Sequence, residues 1–213
     1  SIPKEKITFI PNGVSDLAFE DYNSANFVKK YNLNGKRILC YIGRLAPNKR
    51  LSDLIEVMRV LSKKKNLLLV IIGPDGGDKA NLLNLINRYN LSNVMLLGEL
   101  SEKEKYEALS CAEIFITPSA SEAFGISTCE AMAQGIPVIS ANNQGAKYLL
   151  DDGKYGILYE IGNLKRLLGR ILYLLKKPYE AKKIGEKGKE RASDFRWGKV
   201  VEKIEIIYSE LVS

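Results

Sequence analysis

Short apolar runs rich in β-branched residues recur at Ile38–Ile42, Leu67–Ile72, Val94–Leu97, Ile114–Ile116 and Val138–Ser140, and apolar positions at helical spacing fill the stretches between them. Leu51, Leu54, Ile55, Met58 and Leu61 share one helical face ahead of a solvated Lys63-Lys64-Lys65 end. Leu82, Leu85, Ile86 and Tyr89 mark a second helix, with Asp78 as its expected cap. Ser101 with Glu104 three residues on has capping-box spacing and opens a third. Beyond Ile157-Leu158 the chain reads as helical over Leu164–Leu175, Pro178–Arg191 and Trp197–Leu211, broken at Pro178 and at Asp194-Phe195-Arg196. Near-continuous apolar strands alternating with helices predict an α/β fold: a Rossmann-like parallel sheet of about six strands, covered by helices on both faces. In such a sheet ligands lie at the carboxyl ends of the strands, so the loops after the strands are the place to look for chemistry. Residues 1–35 differ, with one expected strand at Ile7–Ile10, the turn Pro11-Asn12-Gly13 and a polar stretch to Gly35, and read as a lead-in.

Composition narrows the classes. The 213 residues are 46% hydrophobic and 27% charged, as in a soluble globular protein. No run has the length a membrane span needs, and Ser1-Ile2-Pro3-Lys4 is unlike a signal peptide, so a cytoplasmic location is expected. The 3 cysteines, Cys40, Cys111 and Cys129, lie in or beside apolar stretches without paired spacing, as expected of reduced, packed thiols. A formal charge of +7 favours an anionic partner. The absence of histidine removes the commonest general base and metal ligand, leaving carboxylates, lysines and backbone dipoles for any catalysis. No Asp-x-Asp triplet is present, so no divalent-metal site is expected.

The most informative segment is Pro118 to Ile139, which joins a strand end, a loop, a short helix over Ile126–Gln134 and the next strand. Its free amide groups point back toward the loop and attract phosphate. Glu122 falls in the loop and Glu130 about one turn inside the helix. On spacing alone, a solvated loop residue and a glutamate paired with a surface lysine are the readier account of them. Gly43-Arg44-Leu45-Ala46-Pro47-Asn48-Lys49, after the first strand, adds a guanidinium and an ammonium suited to a diphosphate.

These residues resemble the donor domain of the GT-B glycosyltransferases, specifically the large retaining family four (group 1). The resemblance runs through Ile10-Pro11-Asn12-Gly13-Val14, the Gly43-Arg44…Lys49 loop, Ile71 to Gly76, Val94 to Gly98, the Glu122…Glu130 pair with Gly135 to Ile139 in register, and Phe195-Arg196-Trp197. It implies the C-terminal half of a GT-B fold. In that scheme residues 1–35 are an interdomain lead-in, 36–192 the Rossmann-like donor domain, and 193–213 a helix packing back toward an N-terminal domain not contained in this chain. It further implies a cofactor-free hexosyltransferase using a nucleotide-sugar donor, and the lack of an Asp-x-Asp triplet and of histidine makes metal-independent leaving-group stabilisation the expectation. Arg44 and Lys49, with Gly43, would hold the diphosphate, Glu130 the ribose, and Glu122 with Ala123, Phe124, Gly125, Ile126 and Ser127 the sugar. The base would lie near Gly98 and Leu100. The catalytic assignment falls on Glu122, Arg44 and Lys49. The acceptor, a sugar or lipid-linked sugar, would be bound by the other domain, so this chain alone is expected to bind donor and transfer nothing.

Two positions depart from the family pattern: Arg50 stands where glycine is usual, adding charge beside the phosphate loop, and Lys147 where glutamate is common. Lys176, Lys177, Lys182, Lys183, Lys187 and Lys189 make the tail basic. A solvated face explains this, with peripheral contact at the inner face of a membrane next; no nucleic-acid motif accompanies the lysines. The rival classes are a non-catalytic nucleotide-binding module and a sugar-nucleotide epimerase of related fold.

Overall fold

A computed structural model describes residue 3 and residues 6–212; Ser1, Ile2, Lys4, Glu5 and Ser213, which belong to the expected lead-in and closing helix, lie outside the described residues. The strands are β1 (Arg37–Ile42), β2 (Leu67–Ile72), β3 (Val94–Gly98), β4 (Ala112–Thr117), β5 (Val138–Ala141) and β6 (Ile157–Tyr159). They form one six-stranded sheet, every neighbouring pair parallel, in the order β3-β2-β1-β4-β5-β6. The expected α/β class and the near-continuous burial of β1 and β2 are both observed.

The helices are α1 (Ala25–Lys30), α2 (Leu51–Val60), α3 (Lys79–Arg88), α4 (Glu102–Ser110), α5 (Ile126–Ala133), α6 (Gln144–Leu150), α7 (Leu164–Lys176), α8 (Pro178–Ala192) and α9 (Trp197–Val212). They cover the sheet with a separate apolar cluster on each face. One cluster gathers Leu54, Ile55 and Met58 of α2 with Leu82, Leu167, Ile171 and Leu174 against inward side chains such as Leu39 and Leu69. The other packs Tyr106, Cys129, Met132 and Leu149 against Cys40, Val70 and Phe115, and takes in Val14, Ala18, Phe27 and Leu33 from ahead of β1 together with Phe195. Truncating a fully buried member such as Leu54 to alanine removes about 2–5 kcal/mol, through lost transfer energy and the cavity left behind.

Strand order sets where the site falls. After β1 the chain steps outward through β2 to β3, then returns so that β4 pairs with the other side of β1 and steps outward again through β5 to β6. The reversal lies between β1 and β4, and opens a crevice at their carboxyl ends. The loop after Ile42 and the loop after Thr117 both emerge there.

Some local expectations are corrected. Residues 7–10 form no strand: the sheet ends at β3 and β6, and no strand among the described residues pairs with them. Phe9 instead packs edge-on to Tyr148 at 4.9 Å. The polar stretch before Gly35 contains α1, too short for a periodic signal, anchored by buried Phe27. Asp78 occupies the N-cap position of α3, yet its side chain makes no capping bond. Asp75 takes the amides of Gly77 and Lys79 at 2.8 and 3.3 Å, while Asp78 accepts from Asn81 at 3.0 Å. The capping box at Ser101 and Glu104 is present in both directions.

Candidate functional site

A cavity of about 490 Å³ opens at the β1/β4 crevice, within the roughly 300–1,000 Å³ range of small-ligand clefts. Three segments supply its sequence-selected walls. The loop after β1 brings Gly43, Arg44 and Lys49; the loop after β4 brings Glu122, Ala123 and Phe124; and Gly125, Ile126, Ser127 and Glu130 come from the start of α5. Gly98 and Leu100 lie outside the lining. Gly98 ends β3, two strands from β1, where its carbonyl accepts from the Gly73 amide at 2.8 Å, and Leu100 packs against an apolar cluster.

Local chemistry explains how each side chain is held. Gly125 at the N-cap of α5 has φ 95 and ψ 61, a left-handed conformation that other residues adopt at a penalty, and no side chain caps the helix. The first-turn amides are therefore free of side-chain partners and the positive end of the helix dipole faces the cavity. Phe124, immediately before it, is buried edge-on against Phe195 at 5.2 Å, which ties the loop to the segment before α9. On the far side, the loop is laced to α6. Gly145 donates its amide to the Glu122 carbonyl at 3.2 Å, and Asn143 Nδ2 donates to the Ser119 carbonyl at 2.9 Å. The Ala120 amide donates to the Asn48 carbonyl at 3.0 Å, joining the two site loops directly.

The charges pair across these loops. Lys49 Nζ lies 2.6 Å from Glu122 Oε1, with the two side chains 14% and 22% exposed. Arg44 is exposed at the rim, and its guanidinium has no hydrogen-bond or ion-pair partner among the described residues. Below it the Tyr41 hydroxyl donates to the Arg44 carbonyl at 3.2 Å. Burial, reinforced by the Glu122 carboxylate, pushes the Tyr41 phenol well above its ordinary value, so it remains a donor. Glu130 is buried and accepts from Lys105 Nζ at 2.6 Å and from the Tyr106 hydroxyl at 3.2 Å. Burial and the Glu130 carboxylate likewise drive the Tyr106 phenol upward. Arg44, Lys49 and Lys105 against Glu122 and Glu130 leave the lining with one excess positive charge.

Lys105 and Tyr41 line the cavity without having been singled out by the sequence, and Asn12, noted only as part of the lead-in turn, lines it too. Lys105 sits in Glu102-Lys103-Glu104-Lys105, an alternation typical of a solvated helix face. Its signal is the capping box at Ser101: this fixes the register of α4 and places position 105 one turn in, near the strand ends. The two departures from the family pattern also find their places. Arg50 adopts a left-handed conformation, φ 53 and ψ 37, which explains a preference for glycine there. Its guanidinium pairs with Asp53 at 2.9 and 3.2 Å and does not line the cavity, so the extra charge is neutralised away from the site. Lys147 lines a neighbouring cavity of about 350 Å³ on the α6 side of the Glu122 loop. Among the described residues no group of three or more His, Cys, Asp or Glu is arranged to hold a metal ion, and no helix is long and apolar enough to cross a membrane.

A family model described as "Glycosyl transferases group 1" matches residues 23–191. An uncharacterized glycosyltransferase of Methanocaldococcus jannaschii is 30% identical over 202 residues, covering 95% of this chain and 56% of that protein. Sucrose-phosphate synthase from Thermosynechococcus elongatus superposes with a TM-score of 0.83 at 27% identity, covering 96% of this chain and 52% of that one. Anabaena HepE, solved in complex with UDP-glucose, shares the fold with a TM-score of 0.88 at 22% identity over 98% of this chain and 58% of its own. The chain spans about half the length of the curated relatives it matches.

Proposed function

The chain belongs to the group 1 glycosyl transferases, and from that premise we propose that it is the donor-binding half of a retaining GT-B glycosyltransferase, using a nucleoside-diphosphate hexose. One arrangement supports this above all: Arg44, Lys49, Glu122, Glu130 and the uncapped start of α5 converge on a single cavity at the point where strand order reverses. Arg44 grips the diphosphate bidentately and Lys49 acts as a point charge, while α5 offers its first amides to the same oxygens. Glu130 accepts from ribose hydroxyls. Glu122, drawn forward by Lys49, accepts from hydroxyls of the sugar ring. As the bond from the anomeric carbon to the diphosphate oxygen breaks, negative charge grows on the leaving group beside these cations and amides, which are already in place and need not reorganise. No bridging metal enters this scheme. Glu122 positions the sugar and is not a base; the acceptor comes from outside this chain, on the face where the diphosphate departs. In a fold neighbour solved with UDP-glucose, a ligand of the same chemical class is bound.

Saturation-transfer NMR with uridine, guanosine and adenosine diphosphate sugars tests the assignment. One of the three should give saturation at its ribose and sugar protons, and Arg44→Ala and Glu130→Ala should each abolish it. Loss of signal in neither variant would show that the donor lies elsewhere. Transfer of sugar to water or to added acceptor by this chain alone would refute the assignment of acceptor binding to another domain.

A further inference from the structure

The two oxygens of Glu130 are held unequally. Oε1 takes both Lys105 Nζ at 2.6 Å and the Tyr106 hydroxyl at 3.2 Å. Oε2 has no hydrogen-bond partner among the described residues and is not one of the buried side-chain atoms left without one, so it keeps access to solvent on a residue that lines the cavity. Lys105 is itself fixed from several sides. Its ammonium lies 4.4 Å from the centroid of the Tyr106 ring and 3.9 Å from Glu102 Oε1, and the side chain is only 20% exposed. The Tyr22 ring stacks on Tyr106 at 4.9 Å and backs the assembly. A carboxylate with two free oxygens rotates and hydrates; one with Oε1 pinned by an ammonium and a phenol presents Oε2 along a single direction.

We propose that Lys105 is a positioning residue that locks Glu130 so that Oε2 receives the vicinal hydroxyls of a ribose, which makes the cavity select ribonucleoside over 2′-deoxyribonucleoside diphosphates. This deepens the donor-binding assignment above and rests on it. The selectivity follows from acceptor-only chemistry. A carboxylate oxygen aimed at a hydroxyl gains a charge-assisted bond, and a ligand lacking that hydroxyl leaves the oxygen desolvated and unpaired. Without Lys105 only the Tyr106 hydroxyl restrains the carboxylate, and the direction that distinguishes the two sugars is loosened.

Calorimetric titration of UDP and 2′-deoxy-UDP, with the guanosine and adenosine pairs alongside, into the wild-type chain, Lys105→Met and Lys105→Arg separates this role from its rivals. In Lys105→Met, affinity for the ribonucleotide should fall about tenfold, the equivalent of one charge-assisted hydrogen bond, and affinity for the deoxynucleotide by less than about threefold. Lys105→Arg, which keeps a donor to Oε1, should restore most of the discrimination, and thermal melts of both variants check that α4 stays folded. An equal loss for the ribo and deoxy ligands would make Lys105 a simple phosphate-binding cation and overturn the proposal, as would no change in either. If the wild type binds a ribonucleotide but does not discriminate, the positioning role alone falls. If it binds no diphosphate of any base, the donor-binding assignment falls with it.

Discussion

Substituting Gly145 by alanine perturbs Glu122 from behind without touching a charged group. A Cβ at position 145 would stand 2.5 Å from the Glu122 carbonyl oxygen, 3.0 Å from its carbon and 3.1 Å from the Phe124 nitrogen, all backbone atoms that no rotamer change can move. Restoring an ordinary carbon–oxygen separation of about 3.3 Å requires the loop to retreat by about 0.8 Å. It also breaks the hydrogen bond that the Gly145 amide donates to the Glu122 carbonyl, 3.2 Å in the native chain. Two terms oppose each other in stability. Alanine gains about 0.5–1 kcal/mol over glycine within a helix, and overpacking against backbone takes about 1–3 kcal/mol. The net expectation is a loss of about 1 kcal/mol, which lowers Tm by about 2–4 °C for a domain of this size. Function should suffer more than stability, since a displacement near 1 Å of a ligand-orienting group lowers reactivity by about a hundredfold. Donor affinity, measured by calorimetry, should fall at least about tenfold. Gly169 on α7 is the control: nothing lies within 4 Å of a Cβ there, so Gly169→Ala should raise Tm slightly and leave binding unchanged. Donor affinity within about twofold of wild type in Gly145→Ala, with the Tm loss confirming the steric clash, would refute the idea that α6 places Glu122.

Further outcomes follow from the cap and the buried thiols. Ser101→Ala removes one half of the α4 capping box, with a stability loss of about 1 kcal/mol, read as a Tm drop; because α4 carries Lys105, ribonucleotide affinity should weaken too, whereas an unchanged Tm would mean that the box contributes nothing. Burial pushes the Cys111 thiol up to about 11 and Cys129 to about 12 from 9.0, and raises Cys40 further still. Native protein at pH 8 should therefore resist alkylation, with labelling appearing only in denaturant. The same shifts contribute to the alkaline limb of stability, alongside the phenols of Tyr41, Tyr106 and Tyr159, which burial also raises. Folded-state pKa values above the unfolded 9.0 mean the contribution is complete below pH 9 and is lost between pH 9 and about 12, as the unfolded thiols ionise first. Each thiol adds a slope of about 1.4 kcal/mol per pH unit in that window. Denaturant melts at pH 8 and pH 10.5 check the sign, and equal stability at the two would contradict it.

The alternation of strand and helix was legible because burial writes itself locally: a strand covered on both faces is apolar throughout, and a helix covered on one shows a stripe. Hence β1, β2 and the capping box of α4 stand where the pattern places them. Glu122, Glu130, Arg44 and Lys49 were also visible, though only their ordered combination raised them above ordinary surface charges. The local failures have local reasons. Ile7–Ile10 has strand-like composition and no strand among the described residues to pair with, and α1 is shorter than two turns.

What the sequence determined by itself was which segments are strands, which are helices, and which loops carry charge. Only the tertiary structure decided which loops meet. Lys49 reaches Glu122 across 73 positions and Lys105 reaches Glu130 across 25, because strand order puts β4 beside β1 and not beside β3. No local propensity records that choice. It comes from helices burying their apolar stripes on both faces of the sheet at once, a global packing condition that brings the start of α5, the β1 loop and the side of α4 to one crevice.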